Sequence, residues 1–192
     1  MKQRIAAAGS QVSQLVDQFN RTQAEEMVLF GKQVGALFSA GGQLLIAGQG
    51  PFLPLAQMLA SHFTHRLGFD RPVLPAVALG SDPVLAAALA ASDRPEQLLA
   101  RHFRALCGTR QQLLLLSDGT DNPALRLLRD EVLENGFPVA LLTPEPKDDP
   151  LCSEGVNICI SLGSASRPRL LEMSLFVTNL LCEMVEAELF GI

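Results

Sequence analysis

Apolar runs alternate along this chain with segments in which apolar residues recur every three or four positions. The first run, at 43–48, is apolar without polar alternation, which predicts a strand that is buried on both faces. A turn that contains Gly48 and Gly50 follows it, and helical spacing then extends from about residue 52 to residue 66. This stretch predicts a strand, a tight loop and a helix in succession.

The same succession returns in the second half of the chain. Four leucines at 113–116 lead into a polar cluster at 117–122, and Pro123 suits the first turn of a helix. A loop between a buried parallel strand and a helix N-terminus gathers free backbone N–H groups and the positive end of the helix dipole, so it attracts anions. Because the two loops point the same way, they predict one ligand-binding edge.

Further strands and helices complete the pattern. Two helices, separated by a polar break at 20–22, are predicted before the first strand. Further strands are predicted at 73–79, 138–143 and 156–162, with helices between the strands and a last helix at about 169–190. Strands that alternate with helices predict an α/β sandwich on a mainly parallel sheet, with ligands at the carboxyl ends of the strands. No linker divides the chain, so a single structural domain is expected, in which residues 1–40 supply helices for oligomerisation.

The last predicted helix is apolar around most of its circumference. One subunit is not expected to bury all of that surface. The helix is therefore predicted to pack on the sheet with one side and on a sister subunit with another, and the two N-terminal helices are predicted to join the same interface. This pattern predicts a homo-oligomer.

Composition and charge exclude several classes of protein. The formal charge is −5 and the 15 basic residues are dispersed, which argues against direct nucleic-acid binding. The longest apolar stretch, 73–91, is broken by Pro75, Asp82 and Pro83, so no membrane span is expected. The four cysteines lack CxxC spacing and the start of the chain lacks a signal-peptide pattern, so reduced thiols and a cytoplasmic location are expected.

Short motifs occur in one order along nearly the whole chain. They are Gly41–Gly50, His62-Phe63, Arg71-Pro72-x-x-Pro75 up to Leu79, Ser92-Asp93, Ser117, Asn135-Gly136 up to Thr143, and Arg169-x-x-Glu172-Met173. In this order they resemble the SIS (sugar isomerase) domain, and within it the phosphoheptose isomerase group and its DnaA initiator-associating relatives. The resemblance implies a flavodoxin-like, three-layer sandwich with a five-stranded parallel sheet over residues 41–192. It also implies a homotetramer, with the N-terminal helices and the last helix in its interface.

The resemblance places a sugar-phosphate ligand at the two loops. Relatives that isomerise sedoheptulose 7-phosphate hold its phosphate in the second loop with a Ser-Thr-Ser-Gly-Asn-Ser pattern, which here is Ser-Asp-Gly-Thr-Asp-Asn. The ligand-binding residues expected from it are Gly48, Gln49, Gly50, His62, Ser117, Gly119, Thr120 and Asn122. No cofactor is expected. No metal site is expected either, because His62 is one candidate ligand where three or four are required.

The differences from the family pattern are expected to weaken phosphate binding. Asp118 and Asp121 bring negative charge to the second loop, and in the first loop Pro51 removes an N–H and Phe52 replaces a small hydroxyl residue. Helix-terminus donors favour an anion by about 0.3–2 kcal/mol. Each lost charge-assisted hydrogen bond costs about 1.5–3 kcal/mol. The losses are expected to dominate unless the two acids point outward.

The resemblance also identifies where an isomerase would carry its acid and base. The family uses a carboxylate in the helix after the first loop and a histidine in the last helix, and the matching residues here are Arg66 and Ser174. Neither can exchange the proton at neutral pH, so no catalytic residue is expected. The chain is therefore predicted to be a non-catalytic SIS-domain protein that senses a sugar phosphate or binds a protein as a scaffold, with DnaA as a candidate partner.

Two alternatives stay open. The chain could be an active sedoheptulose 7-phosphate isomerase in which His62 or His65 transfers the proton and Thr120 holds the phosphate. In the other alternative the pocket is lost, Phe52 fills it, and only the oligomer matters.

Overall fold

The computed structural model describes residues 1–164 and 166–191. Helices and strands follow one another as α1 (Lys2–Thr22), α2 (Ala24–Ser39), β1 (Gln43–Gly48), α3 (Phe52–Thr64), β2 (Ala76–Ala78), α4 (Pro83–Ala91), a 3-10 helix (Pro95–Gln97), α5 (Leu98–Leu106), β3 (Gln111–Leu116), α6 (Pro123–Glu134), β4 (Val139–Thr143), β5 (Val156–Ser161) and α7 (Arg167–Phe190).

The five strands form one parallel sheet in the order β2-β1-β3-β4-β5. Leu45 of β1 pairs with Leu113 of β3, and Leu115 of β3 pairs with Leu141 of β4. Parallel neighbours need crossover connections, and the intervening helices supply them on both faces of the sheet. The predicted α/β architecture and its five-stranded parallel sheet are confirmed.

The apolar runs in the sequence create two hydrophobic cores because successive side chains of a strand point to opposite faces. The first core lies between the sheet and the layer formed by α1, α2, α3 and α7, and the second lies between the sheet and α5 and α6. Leu44, Ile46, Leu114 and Leu116 face the first core, whereas Leu45, Leu113, Leu115 and Leu141 face the second. All six residues of β3 are buried, as expected for a central strand.

Two helices begin with the same capping arrangement. Asp82 accepts hydrogen bonds from the first amides of α4, and Asn122 does so for α6. In each case a proline, Pro83 or Pro123, occupies the first helical position, where its missing N–H costs no hydrogen bond. Local sequence therefore determines where these two helices start.

Three elements have bounds in the structure that differ from the predicted ones. The strand predicted at 73–79 shrinks to Ala76–Ala78, because Pro75 has no N–H and the Leu74 amide donates to the Phe63 carbonyl instead. Helix α3 ends at Thr64 rather than near residue 66.

The third boundary that moves is the break between α1 and α2. It falls at Gln23, one residue beyond the polar stretch 20–22 that was predicted to separate the helices. The Gln23 side chain accepts a hydrogen bond of 2.9 Å from the Ser161 amide at the end of β5.

Helix α7 is covered only in part by its own chain. It packs against α2 at Gly31 and Gly35, where an added Cβ atom would lie 3.1 Å from side-chain atoms of α7. Its most exposed large apolar residues are Leu175 and Phe190, at 37% and 36%. Five further large apolar residues of the helix are only partly buried, so one subunit does not bury its whole apolar circumference, and the oligomer stays a prediction. No helix within 1–164 and 166–191 is both long and apolar enough to cross a membrane.

A buried ion pair joins three parts of the first layer. The Arg71 side chain is fully buried, and its Nε donates to the Glu186 carboxylate of α7 at 2.6 Å. Its two terminal nitrogens donate to the carbonyls of Phe63 and His62 at the end of α3, at 2.8 and 2.7 Å. One guanidinium therefore holds α3, α7 and the segment that leads into β2.

We expect Arg71→Met to lower the free energy of unfolding by about 3–5 kcal/mol, because it leaves Glu186 buried without its cation. Urea unfolding measures this change. The matched control is Arg94→Met at an exposed arginine, for which a change within about 0.5 kcal/mol is expected. Equal effects of the two substitutions would contradict the role assigned to the buried pair.

Candidate functional site

A cleft of about 180 Å³ opens at the carboxyl edge of the sheet, between the loops that follow β1 and β3. Its lining residues come from both loops and from the first turns of α3, α6 and α7. They are Gln49, Gly50, Pro51, Phe52, Leu116, Asp118, Asn122, Leu125 and Arg167. The cleft therefore lies where the two strand-loop-helix units predict a ligand.

A hydrogen bond connects the two loops. The Asn122 side-chain nitrogen donates to Gln49 Oε1 at 2.7 Å. The oxygen of the same Asn122 amide accepts from the first amides of α6, so one side chain both caps a helix and holds the first loop in place. Three of the residues expected to bind a ligand, Gln49, Gly50 and Asn122, are brought together in this way.

The first loop is tight because of its glycines. A Cβ atom on Gly48 would lie 2.7 Å from the Phe52 Cβ atom, so only glycine allows α3 to start this close to β1. Gly50 adopts a positive φ of 56°, which glycine accommodates without strain. The Phe52 ring is 2% exposed and belongs to the first core, so most of it packs beneath the cleft.

The second loop uses its own side chains to occupy its backbone donors. Ser117 Oγ accepts a hydrogen bond from the Gly119 amide at 3.0 Å, and Asp118 Oδ1 accepts from the Thr120 amide at 3.1 Å. The Thr120 hydroxyl also donates to Asp118 Oδ1. An anion that enters the cleft would therefore have to replace bonds that Ser117 and Asp118 already make.

The two acids of the second loop face different ways. Asp121 is 51% exposed and pairs with Arg126 at 2.7 Å, so it points outward from the cleft. Asp118 lines the cleft at 31% exposure and lies 3.8 Å from the Arg167 guanidinium. The expected penalty from like charge therefore rests on Asp118 alone, and Arg167 partly offsets it.

Arg167 is the residue that sequence reasoning missed. It lies in the first turn of α7, where the helix dipole disfavours a cation. A cation at the start of a helix, five residues after the end of the last predicted strand, is the signal that could have identified it.

The histidine expected at the site lies away from the cleft. His62 is ten positions beyond Phe52 on α3, which corresponds to about 15 Å along the helix axis. Its Nδ1 atom is buried and has no hydrogen-bond partner among residues 1–164 and 166–191. Burial lowers the pKa of His62, and the nearby Glu186 carboxylate opposes this shift.

The positions expected to replace the family's acid and base also lie elsewhere. Because α3 ends at Thr64, Arg66 lies beyond the helix in which it was expected, half-exposed and 3.8 Å from Asp70. His65 is exposed at the same helix end. Ser174 is fully buried within α7, and its hydroxyl has no hydrogen-bond partner in the described part of the chain. None of these three residues lines the cleft.

No group of three or more His, Cys, Asp or Glu side chains within the described ranges is placed to hold a metal ion. The polar groups that line the cleft are the side chains of Gln49, Asp118, Asn122 and Arg167. With two side-chain amides and with one cation close to one carboxylate, the cleft can recognise a small polar molecule.

Comparison with known proteins identifies relatives along most of the chain. No protein-family model matches the sequence. The phosphoheptose isomerase of Burkholderia pseudomallei is 30% identical over 156 residues, which cover 81% of this chain and 78% of that protein. The structures of phosphoheptose isomerases from Francisella tularensis and Neisseria gonorrhoeae superpose with TM-scores of 0.86 and 0.84, at 20% and 18% identity. The alignments cover 95% and 97% of this chain, and 96% and 98% of those chains.

We expect Asp118→Asn to raise the affinity for inorganic phosphate about fivefold, which corresponds to about 1 kcal/mol of removed repulsion. Asparagine keeps an oxygen for the Thr120 amide, so the loop retains its shape. Asp121→Asn is the matched control, and less than about a twofold change is expected because that exposed acid points away from the cleft. Phosphate titration followed by thermal unfolding measures both, and equal gains would contradict the assignment of Asp118 to the cleft.

Proposed function

Because the chain belongs to the phosphoheptose isomerase family of SIS-domain proteins, we propose that it is a non-catalytic member that acts as a protein-binding scaffold. The observation that carries this proposal is the state of the second loop, whose Gly119 and Thr120 amides already donate to Ser117 and Asp118. The cleft is also smaller, at about 180 Å³, than the roughly 300–1,000 Å³ of most small-molecule sites.

The chemistry of isomerisation supports the same proposal. Moving a proton between neighbouring carbons requires a base within hydrogen-bond reach of the substrate. Asp118 is the carboxylate that lines the cleft, and its oxygens already face Thr120 and Arg167. These contacts indicate that Asp118 stabilises the loop. Arg66 and Ser174, at the positions of the family's base and acid, lie outside the cleft.

DnaA is the proposed partner. The proposal rests on the resemblance to the DnaA initiator-associating branch at Arg71-Pro72-x-x-Pro75 and at the end of α7, from Leu181 to Phe190. Phe190 lies at that end, 36% exposed, with its ring packed edge-on against Phe69 at 5.7 Å between centroids. The exposed part of Phe190 offers an apolar contact to a second protein.

Arg167 favours a second candidate function, a sensor of sugar phosphates. The guanidinium lies at the cleft together with the positive N-terminal ends of α3 and α6, and both features attract a phosphate. In such a protein the ligand would bind without being converted.

The alternative of an active isomerase depends on His62. Burial lowers the pKa of this histidine, so at neutral pH it is a neutral imidazole whose Nδ1 can accept a proton. With His62 about 15 Å along α3 from the cleft of its own chain, the alternative requires a second subunit to bring a cleft and a His62 together.

We expect no conversion of sedoheptulose 7-phosphate above the rate in buffer, because among the described residues no acid/base pair lines the cleft. The assay measures formation of the product by the purified protein. The variant that tests the isomerase alternative is His62→Gln, and His65→Gln is its control. Turnover that His62→Gln abolishes and His65→Gln retains would establish the isomerase alternative. A saturable rise in the unfolding temperature with this sugar phosphate, without turnover, would favour the sensor over the scaffold.

We expect saturable binding to purified DnaA in biolayer interferometry. Phe190→Ser is expected to lower the affinity at least tenfold, which corresponds to a loss of about 1.4 kcal/mol of binding free energy. Val84→Ser is the control, because Val84 is an exposed apolar residue on α4, away from the end of α7. Light scattering on each variant separates a lost contact from a changed oligomer. Absence of DnaA binding by the unsubstituted protein would overturn this partner.

A further inference from the structure

Two cysteines meet at the outer edge of the sheet. Cys159 lies in β5 and Cys152 lies in the turn before it, with their sulfur atoms 2.7 Å apart. Non-bonded carbon atoms usually approach to about 3.5–4.0 Å, and the larger sulfur atoms would be expected to stay further apart. The two thiols are therefore in the position from which a covalent bond between them requires little movement.

The turn that carries Cys152 is fixed from several sides. The Cys152 amide donates to the Asp149 carbonyl at 3.0 Å. The buried Asp149 carboxylate accepts from the Thr143 hydroxyl at 2.6 Å and from the Leu151 amide at 2.8 Å. The Arg129 guanidinium of α6 donates to the carbonyl of Leu151 at 3.1 Å. These bonds hold Cys152 next to β5 instead of leaving it on a free loop.

The second cysteine is held by the sheet. Cys159 pairs in register with Leu141 of β4. Both cysteines lie at the margin of the second core and are partly exposed, so a small molecule from solvent, such as a peroxide, can approach them. By contrast, Cys182 is fully buried, and Cys107 is exposed at the end of α5.

The surroundings of the two sulfurs give them different roles. Burial, followed by the hydrogen bond with Cys152, raises the pKa of Cys159 to about 12. Cys159 is therefore a neutral thiol at physiological pH, which makes it a poor first target for an oxidant. Cys159 also lies within a paired strand, whereas Cys152 lies in a turn that can accommodate an added oxygen atom more easily, so Cys152 is the residue expected to react first and Cys159 the thiol that resolves the product.

We propose that Cys152 and Cys159 form a reversible intramolecular disulfide when the protein meets hydrogen peroxide. The Cys152 thiol loses its proton and its sulfur attacks one peroxide oxygen, which breaks the O–O bond, releases water and leaves a sulfenic acid. The Cys159 sulfur then attacks the Cys152 sulfur, the S–O bond breaks, and the Cys159 proton leaves with the hydroxyl group as a second water. The two sulfurs together lose two electrons to the peroxide.

The experiment uses the full chain with Cys107→Ser, which removes the exposed thiol that could join two molecules. After hydrogen peroxide treatment the protein is denatured, alkylated and cleaved after Glu154, which lies between the two cysteines. We expect two peptides that stay joined and that dithiothreitol separates. The intact protein should lose the mass of two hydrogen atoms, and Cys182 should be the remaining alkylated cysteine.

The controls are Cys152→Ser and Cys159→Ser in the same background, and far-UV circular dichroism confirms that each variant folds. Neither should lose mass or yield joined peptides. If Cys159→Ser does not fold, Cys152→Ser alone decides the comparison. Two alkylated cysteines at 152 and 159 after peroxide treatment, or sulfinic acid at Cys152 beside a free Cys159 thiol, would overturn the proposal.

Discussion

The burial of the central strands on both faces is the constraint from which the rest of the structure follows. No residue of β3 or β4 reaches solvent to a large extent, so their backbone groups must pair with neighbouring strands and their side chains must be covered twice. Parallel pairing satisfies the backbone, and the crossover helices satisfy the side chains. Because every strand runs the same way, the loops after β1 and β3 end at one edge and enclose a cleft there.

The cleft lies in a fold that this chain shares with phosphoheptose isomerases, and the bonds within its second loop determine what it can bind. In this chain the second loop is stabilised by its own Ser117 and Asp118 side chains, and Asn122 ties it to Gln49. A loop whose donors are satisfied internally is rigid without a ligand, and it offers an anion less than a loop with free amides. We propose a non-catalytic role because the hydrogen bonds within the second loop already occupy its donors.

Local patterns predicted the strands and helices because each depends on neighbours in sequence. The apolar runs at 43–48 and 113–116, and the caps at Asp82 and Asn122, contain the information that forms those elements. Features that depend on contacts between distant positions could not be predicted from the sequence. The amide that shortens β2 donates to the end of α3, and this bond is invisible in the apolar pattern of residues 73–79.

At the candidate site, too, local features could be predicted and contacts between distant positions could not. The two loops were predicted, and three of the residues expected to bind a ligand, Gln49, Gly50 and Asn122, line the cleft between them. The side-chain pairs that define the chemistry of the site were not predicted, because Gln49 and Asn122 are 73 positions apart and the position of Arg167 depends on where α7 begins. The Arg71–Glu186 pair spans 115 positions and gives no local signal. The roles expected for His62 and Arg66 likewise required three-dimensional information about how far α3 extends from the cleft.

The bond between Gln23 and Ser161 has a consequence for how copies of this chain can meet. The Leu162 amide donates to Thr143 of β4, so the preceding Ser161 amide points away from the sheet, and the Gln23 side chain occupies it. At the opposite edge, β2 has only three residues, and Pro75 precedes it. A sheet with one edge blocked at its end and the other shortened is a poor template for strand addition, so it resists both aggregation and growth of a continuous sheet between subunits. The helices are the surfaces that these two edges leave for contact with another copy or with a partner.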